Sequence, residues 1–319
     1  MFTAIRTACV VSAVLAGFPI LMAQAPPSPS KQAIAHRGAS GYAPEHALAA
    51  YRLAIEQKVD FVEQDLAVSK DGVLICLHDD SLERTSNVED VFPDRPSAVP
   101  ARAGAPGAAA GQQPRKTWLA NDFTLAEIRR LDFGSWFDPK FAGERIVTWQ
   151  EAVDLVKARP GLGMYPELKS PPLYTSRGVD MMKIFVDSVK KNGLDRPASL
   201  RANPVIIQSF DEATIRRAAA ELPSIPRVFL TSSEADVTDA RLRELKTFAT
   251  GIAPQKTVIA RVPDMVKRAH DAGLTVTSWT FATGDPGYPS VRDEMVHFLY
   301  DLGIDALFTN NPDQFPRSR

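Results

Sequence analysis

The stretch AIAHRGASGYAPEHALAAYRLAIEQKVDFVEQDLAVSKDGVLICLHD, residues 33–79, contains the first repeating unit of the fold. A short apolar run ends in a glycine turn, and apolar residues follow at helical spacing over residues 45–57. VDFVEQDLAVS and VLICLHD then have the composition of two strands joined by an Asp-Gly turn. Ionisable residues stand beside these apolar runs, where burying a charge is costly. The stretch therefore predicts a strand–helix–strand unit and a candidate active site.

The same alternation of helical and strand-like patterns continues from residue 148 to the end of the chain. Helices are predicted at 148–158, 177–192, 211–221, 236–246, 263–272 and 291–302, and strands at 163–169, 205–210, 227–232, 250–254, 275–281 and 306–310. With the first two strands the count is eight, which is typical of a (β/α)8 TIM barrel in the α/β class. A doubly wound open sheet is the alternative, but the G-x-G-x-x-G phosphate turn expected after its first strand is missing from the sequence.

An insertion interrupts the alternation after the second strand, over about residues 81–145. Its first part, a low-complexity loop over about 92–116, is rich in Pro, Ala and Gly and is predicted to be a surface loop. Its second part recovers aromatic residues over 118–141 and is predicted to pack back over the domain. A separate second domain is less favoured, because roughly 65 residues that are half low-complexity bury little core.

The amino terminus has the layout of a secretory signal peptide. Residues 1–25, MFTAIRTACVVSAVLAGFPILMAQA, contain one positive charge, an apolar run and small residues near the end. A retained membrane anchor is the alternative, but the run is short for a membrane span. We predict a signal peptide over 1–25, a spacer over 26–32 and the catalytic domain over 33–319, with secretion or periplasmic export. Removal of the leader would leave Cys76 as the single cysteine, which excludes an intrachain disulfide.

The composition is that of a globular domain. Hydrophobic residues make up 45% of the 319 residues and charged residues 24%, and the formal net charge is −1. This balance gives no reason to expect nucleic acid as a partner. No later segment is long and apolar enough for a stable membrane span in the mature chain. The oligomeric state is left open.

Acidic residues at predicted strand ends indicate a metal site. Glu63 and Asp65 are two apart in a strand, so their side chains leave the same face, and Glu167 and Lys169 have the same spacing. Three carboxylates converging at the carboxyl end of a barrel repel one another unless a cation neutralises them. Oxygen ligands favour one divalent cation, Mg²⁺ or Ca²⁺, over Zn²⁺. A structural network of acids with Arg or Lys is the alternative.

Two histidines and two cations complete the candidate site. His36 and His78 both stand at strand ends, a placement that suits general acid–base catalysis. Arg37 and Lys169 supply positive charge for a phosphoryl group. Together these groups describe phosphoester chemistry. Other residues placed at the same end are Gln208, Phe210 and Trp279, of which Trp279 is equally well explained as barrel core. Of the remaining histidines, His270 and His297 are interpreted as solvated or packing residues on helices. His46, which follows Glu45 and is also on a predicted helix, is interpreted as a brace for the site.

Nine short motifs resemble those of the glycerophosphodiester phosphodiesterase family, of the secreted or periplasmic bacterial type. They are H-R-G at 36–38, P-E at 44–45, E-x-D at 63–65, K-D-G-V-L at 70–74, H-D at 78–79, E-L-K-S-P at 167–171, S-F-D at 209–211, S-W-T at 278–280 and T-N-N-P-D at 309–313. The resemblance covers about residues 33–313 apart from the low-complexity loop. One departure is Ala47, where the family often has a threonine.

The resemblance implies a barrel enzyme that hydrolyses glycerophosphodiesters to sn-glycerol 3-phosphate and an alcohol. It implies an acid–base pair of His36 and His78, and the family's metal ligands match Glu63, Asp65 and Glu167. Its phosphate contacts match Arg37 and Lys169, Glu45 matches an acid beside the site, and Trp279 matches an aromatic residue of the glycerol pocket.

Two other functions fit the same residues. One is a lysophospholipase D-type phosphodiesterase, for which the aromatic residues of 118–141 would widen the mouth of the barrel. The other is a non-catalytic protein that binds phosphodiesters, which is less favoured because every expected catalytic group is present.

Overall fold

Eight parallel strands close into a barrel in the computed structural model, which describes residues 30–97 and 116–319. The strands are β1 (Gln32–Ala35), β2 (Phe61–Val68), β3 (Leu74–Cys76), β4 (Gly163–Leu168), β5 (Ile207–Ser209), β6 (Arg227–Thr231), β7 (Gly251–Pro254), β8 (Thr275–Phe281) and β9 (Ala306–Thr309). Strand β1 pairs in parallel with both β2 and β9, which closes the ring. Strand β3 lies outside the ring and pairs antiparallel with β2. The predicted (β/α)8 barrel is confirmed.

Helices connect the strands and cover the outside of the barrel. They are α1 (Leu48–Glu56), α2 (Val88–Val91), α3 (Leu125–Ile128), α4 (Trp149–Lys157), α5 (Pro171–Ser176), α6 (Met181–Asn192), α7 (Pro197–Ala202), α8 (Glu212–Glu221), α9 (Asp239–Leu245), α10 (Lys256–Arg261), α11 (Met265–Asp271) and α12 (Val291–Val296). A π-helix, His297–Asp301, continues α12.

The predicted helix boundaries are wrong in several places. The helix expected at 177–192 begins only at Met181, as α6, because Gly178 has a positive φ of 76° that interrupts the helical backbone. Helix α5, Pro171–Ser176, lies before the predicted range and is not in the prediction. Helices α7 and α10 are not in the prediction. The helix expected from residue 45 begins at Leu48, so His46 lies in the turn before it and not on a helix.

The inside of the barrel is apolar away from the carboxyl ends of its strands. One cluster of buried residues includes Phe61, Tyr165 and Phe308. The ring centroids of Phe61 and Tyr165 are 5.7 Å apart, and those of Tyr165 and Phe308 are 5.1 Å apart, both edge to face. Phe61 faces the inside of the barrel. Because side chains two apart in a strand share a face, Glu63 and Asp65 of β2 face the inside as well.

The described part of the insertion packs against the barrel. Phe123 is fully buried in the same apolar cluster as residues of β2 and β4. The backbone N–H of Lys70 donates to the carbonyl of Phe123 at 2.9 Å, and the Asn121 side-chain amide donates to the carbonyl of Val68 at 3.1 Å. Helix α3 begins with a capping box between Thr124 and Glu127. This segment is therefore part of the barrel's outer layer.

Residues Lys31–Arg319 form one compact unit. The predicted signal peptide and most of the low-complexity loop fall in residues 1–29 and 98–115, outside the described residues. In the parts that the structure describes, no helix is long and apolar enough to cross a membrane.

Replacing Phe123 by alanine tests the packing of the insertion. The side chain is completely buried, so Phe123→Ala is expected to lower the free energy of unfolding by about 3 kcal/mol or more. The measurement is chemical denaturation followed by tryptophan fluorescence. Phe137→Ala is the matched control, because Phe137 belongs to the same segment but is only half-buried. An equal, small loss in both variants would contradict the packing described here.

Candidate active site

The register of three neighbouring strands brings the polar side chains together. In the parallel ladder Asp65 of β2 pairs with Glu167 of β4, and Glu167 pairs with Gln208 of β5. Paired residues of adjacent strands place their side chains on the same face of a sheet. All three side chains are buried. The carboxyl end of the barrel therefore holds a compact cluster of polar groups, as the spacing in the sequence predicts.

A cavity of about 140 Å³ opens at this end of the barrel. Its lining includes ten of the predicted site residues, namely His36, Arg37, Glu63, Asp65, His78, Glu167, Lys169, Gln208, Phe210 and Trp279. Leu230, Thr280 and Phe308 complete the wall. The eleventh predicted residue, Glu45, is not in the lining; it contacts the cavity residue Arg37.

Arg37 links the two acidic residues of β2 to Glu45 in the loop after β1. Its Nη1 donates to both carboxylate oxygens of Glu45 at 3.2 Å, and its Nε lies 3.2 Å from Asp65 Oδ2. The backbone N–H of Arg37 donates to Glu63 Oε2 at 2.6 Å. Arg37 also has a positive φ of 58°, a backbone conformation that non-glycine residues rarely adopt. The next residue, Gly38, also has a positive φ, and a Cβ there would lie 2.7 Å from the backbone of Ala50, so the turn requires glycine.

Positive charge compensates the three carboxylates unequally. Lys169 Nζ lies 3.0 Å from Glu167 Oε1 and 4.0 Å from Asp65 Oδ1. Burial alone would raise the pKa of Asp65, but Lys169, His46 and Arg37 hold that pKa well below its usual range. Burial and the charge of Asp65 raise the pKa of Glu167 to about 8, and burial and the same charge raise the pKa of Glu63. The cluster is therefore short of positive charge.

The donor atoms fit a hard divalent cation. His46, Glu63 and Asp65 offer ligand atoms that all lie within 4.8 Å of one another. Glu167, which the sequence puts in the ligand set, is not in that group and is paired with Lys169. Carboxylate oxygens at buried, like-charged positions suit Mg²⁺ or Ca²⁺.

His46 holds Asp65 in place. Its Nε2 lies 3.0 Å from Asp65 Oδ2, and its Nδ1 lies 2.9 Å from the hydroxyl of Tyr51. Since a carboxylate only accepts, Nε2–H donates to Asp65 and Nδ1 accepts from Tyr51. Both ring nitrogens of this buried histidine are therefore occupied by protein partners, which makes it a support for Asp65 and not a free ligand.

His36 and His78 are each fixed through one ring nitrogen. His36 Nδ1 lies 2.7 Å from Asn310 Oδ1, and His78 Nδ1 lies 2.6 Å from Asp79 Oδ1. Because both partners accept, each Nδ1 carries the hydrogen. In the described residues neither Nε2 has a protein partner, so Nε2 is the nitrogen that can exchange a proton in the cavity. Burial, followed by the charge of Arg37, lowers the pKa of His36 to about 3, so its imidazole is neutral at pH 7.

An aromatic pair forms the apolar side of the cavity. Phe210 and Trp279 meet edge to face with ring centroids 5.5 Å apart, and Trp279 Nε1 donates to the carbonyl of Ala253 at 2.8 Å. Gln208 Oε1 is buried and has no hydrogen-bond partner among the described residues. This side of the cavity therefore offers an apolar wall and a free acceptor.

Sequence reasoning missed several residues that shape the site. Asp79 and Asn310 belong to motifs quoted above, H-D and T-N-N-P-D, but no periodic pattern says that they orient histidines. Arg84, which contacts both Glu45 and Asp79, lies in an irregular loop and gives no signal in the sequence. The remaining histidines, His270 and His297, are partly exposed and paired with Asp305 and Asp301.

Comparisons with known proteins agree on one family. The model of the "Glycerophosphoryl diester phosphodiesterase family" matches residues 36–314. A curated glycerophosphodiester phosphodiesterase of Bacillus subtilis is 33% identical over 88% of this chain and 84% of its own. One of Arabidopsis thaliana is 30% identical over 87% of this chain and 82% of its own.

Solved structures show the same fold. A phosphodiesterase of Oleispira antarctica, in complex with the product sn-glycerol-3-phosphate, has a TM-score of 0.66 and 26% identity, covering 89% of this chain and 95% of that one. The glycerophosphodiester phosphodiesterase of Agrobacterium tumefaciens has a TM-score of 0.63 and 23% identity, covering 89% and 98%, which supports the barrel fold.

The protonation of His36 can be measured by titrating the histidine ring protons by NMR. Because the pKa of His36 is lowered to about 3, its resonance is expected to stay constant between pH 8 and pH 5. His270 is the control: a hydrogen bond to Asp305 raises its pKa, so its resonance is expected to titrate above the ordinary value of 6.5. His36→Gln and His270→Gln assign the two signals. Titration of His36 near pH 6.5 would contradict its burial as a neutral ring.

Proposed function

The chain belongs to the glycerophosphoryl diester phosphodiesterase family and is a phosphoric diester hydrolase, and from this membership we propose how its site hydrolyses a glycerophosphodiester. The products are sn-glycerol 3-phosphate and an alcohol. The product bound in the Oleispira antarctica phosphodiesterase supports the glycerol phosphate half of this proposal. The relatives named as phosphodiesterases leave the non-catalytic alternative without support.

The observation that carries the mechanism is the pair of fixed imidazoles. His36, neutral at pH 7, accepts through Nε2 the proton of the nucleophile, which is water or the glycerol 2-hydroxyl, as the oxygen of that nucleophile attacks phosphorus. Where the glycerol hydroxyl attacks, water opens the resulting cyclic phosphate in a second step. His78 acts from the imidazolium form: its Nδ1–H donates to Asp79, and the second ring proton, on Nε2, passes to the alcohol oxygen as the bond of that oxygen to phosphorus breaks. Asn310 and Asp79 keep the two rings in the required tautomers through Nδ1.

Two cations hold the phosphoryl group. Arg37 and Lys169 line the cavity, and both are anchored by carboxylates that fix where their positive charge stands. Fixed positive charge next to phosphoryl oxygens stabilises the negative charge of the transition state. On the other side, Gln208 Oε1 accepts a hydrogen bond from a glycerol hydroxyl, and Phe210 and Trp279 pack against the glycerol carbons.

We propose that Glu63, Asp65 and Glu167 hold one Mg²⁺ or Ca²⁺ ion. The shortage of positive charge at these buried carboxylates supports this assignment. A bound divalent cation supplies charge neutralisation for the phosphoryl oxygens. His46 would then hold the carboxylate of this ligand, Asp65, in one orientation.

The lysophospholipase D-type activity is the second candidate. Two large aromatic side chains are exposed, Phe210 in the cavity wall and Trp136 in the insertion. Trp136 also lies over the guanidinium of Arg84, whose partners include Asp79 beside His78. An acyl chain leaving the mouth of the barrel would find these surfaces.

Metal removal tests the proposed function. After chelation and dialysis, release of sn-glycerol 3-phosphate from glycerophosphocholine is expected to fall at least tenfold, on the order of a metal-dependent step, and to return with added Mg²⁺ or Ca²⁺. Glu63→Gln is expected to abolish this recovery of activity by added metal, whereas Glu56→Gln, an exposed control, leaves the recovery intact.

His78→Gln tests the acid–base assignment and is expected to lower kcat for glycerophosphocholine by roughly 100-fold or more.

The outcomes separate the alternatives. Full activity after chelation would refute the metal assignment, and near-normal turnover of His78→Gln would refute the acid–base assignment. Faster hydrolysis of lysophosphatidylcholine than of glycerophosphocholine would favour the second candidate.

We also propose that the chain is exported through its first 25 residues. Expression in a Gram-negative host with cell fractionation is expected to place the protein outside the cytoplasm, with a mass that corresponds to loss of the leader. A cytoplasmic protein of full mass would refute export.

A further inference from the structure

Arg84 contacts both the acid–base side and the phosphate-binding side of the active site. It follows β3 in an irregular loop, and its side chain is 41% exposed. Arg84 does not line the cavity. Its guanidinium binds the carboxylates of Asp79 and Glu45, which in turn bind His78 and Arg37. We propose that Arg84 is a positioning residue that sets the geometry of His78 and Arg37 together; this inference rests on the roles of those two residues in the proposed function.

The guanidinium uses two different edges. Along one edge, Nη1 and Nη2 donate to the two oxygens of Glu45 at 3.0 and 2.6 Å. Along the other edge, Nε and Nη2 donate to the two oxygens of Asp79 at 2.5 and 3.3 Å. Paired bonds of this kind fix the orientation of a carboxylate as well as its position.

Each carboxylate passes this orientation to a catalytic group. Asp79 Oδ1 accepts from His78 Nδ1 at 2.6 Å, which sets the plane of the imidazole. Glu45 accepts from Arg37 Nη1 at 3.2 Å through both oxygens. The chain His78–Asp79–Arg84–Glu45–Arg37 is therefore continuous and alternates in charge, with Arg84 at its centre.

Trp136, a later residue of the same insertion, packs on the Arg84 guanidinium. The ring of Trp136 lies 6.0 Å from Arg84 Cζ, and Trp136 Nε1 donates to the carbonyl of the buried Phe133 at 2.9 Å. An aromatic face over a planar cation restricts its rotation. Trp136 thus contacts the outer face of the Arg84 guanidinium, while the guanidinium itself binds the two carboxylates.

Lysine cannot take over this role. Its ammonium is a single point with rotating donors, whereas both edges of a planar fork are in use here. Arg84→Lys keeps the positive charge and removes the geometry, which separates positioning from simple electrostatics.

The experiment compares two glycerophosphodiesters with different leaving groups. The choline leaving from glycerophosphocholine needs a proton from His78, whereas a p-nitrophenyl ester releases an anion that is stable without one. Arg84→Lys is expected to lower kcat for glycerophosphocholine about 10- to 100-fold, as loss of a supporting partner does, with a much smaller loss for the p-nitrophenyl ester. KM is expected to rise for both substrates, because Arg37 is loosened in both cases.

Single variants of the two carboxylates divide the effect. Asp79→Asn is expected to reproduce the leaving-group-dependent loss of kcat, and Glu45→Gln the rise in KM. Arg95→Lys is the matched control, because Arg95 is equally exposed at 41% and forms an ion pair of 2.6 Å with Glu127 away from the cavity. It is expected to leave both substrates unchanged. Melting temperatures confirm that each variant is folded.

Arg84→Lys with kcat and KM near wild type, or with equal losses of kcat on both substrates, would overturn the inference. His78→Gln distinguishes this from failure of the proposed function. If His78→Gln shows the leaving-group difference and Arg84→Lys does not, the acid role stands and the positioning role falls. If His78→Gln lowers kcat equally for both substrates, the acid role itself is wrong, and the positioning of His78 falls with it.

Discussion

The constraint on which this site depends is the burial of three carboxylates next to one another at one end of a parallel barrel. Strand register forces Asp65 and Glu167 to be neighbours, and Glu63 lies one repeat earlier on the same face. No rearrangement of side chains separates them by much, because each is fixed to a strand of the ring. The surrounding groups are arranged around that charge: Arg37 and Lys169 contact it, and His46 donates to it. The carboxylates thereby hold Arg37 and Lys169 in place, and these two side chains are the positive charges that a phosphodiester anion requires.

Alternating charges extend this organisation from the centre of the barrel to its surface. Asp65, Arg37, Glu45 and Arg84 follow one another, each within ion-pair distance of the next. An isolated exposed ion pair contributes little, but a connected series restricts several side chains at once. The insertion reaches the same series through Trp136. The insertion therefore contributes Arg84 to this series and Trp136 over its guanidinium, while its described residues add no group to the wall of the cavity.

The sequence contains enough information for the barrel and for the inner residues of the site. Period-two spacing predicts that Glu63 and Asp65 share a face, and the strand order of a barrel explains how Glu167 joins them from about a hundred residues away. The sequence suggests His46 as a brace but puts it on a helix, because a turn with a left-handed residue has no periodicity and the helical spacing after it extends the predicted helix too far. Arg84 escapes such reasoning because loop contacts depend on three-dimensional position alone. The late start of α6, predicted at residue 177 and observed at Met181, follows from the backbone at Gly178, which a hydrophobic pattern does not report.

The left-handed backbone of the site has a consequence for the stability of the whole protein. In the described residues, four non-glycine residues have a positive φ, and three of them, Arg37, His46 and Ser170, adjoin the catalytic cavity. Each such conformation costs about 1–3 kcal/mol. Arg37 and His46 also brace each other, since the backbone N–H of His46 donates to the carbonyl of Arg37 at 3.0 Å. The rest of the barrel must supply that free energy, so the catalytic end is the part of the fold where evolution toward higher stability and evolution toward higher activity pull in opposite directions.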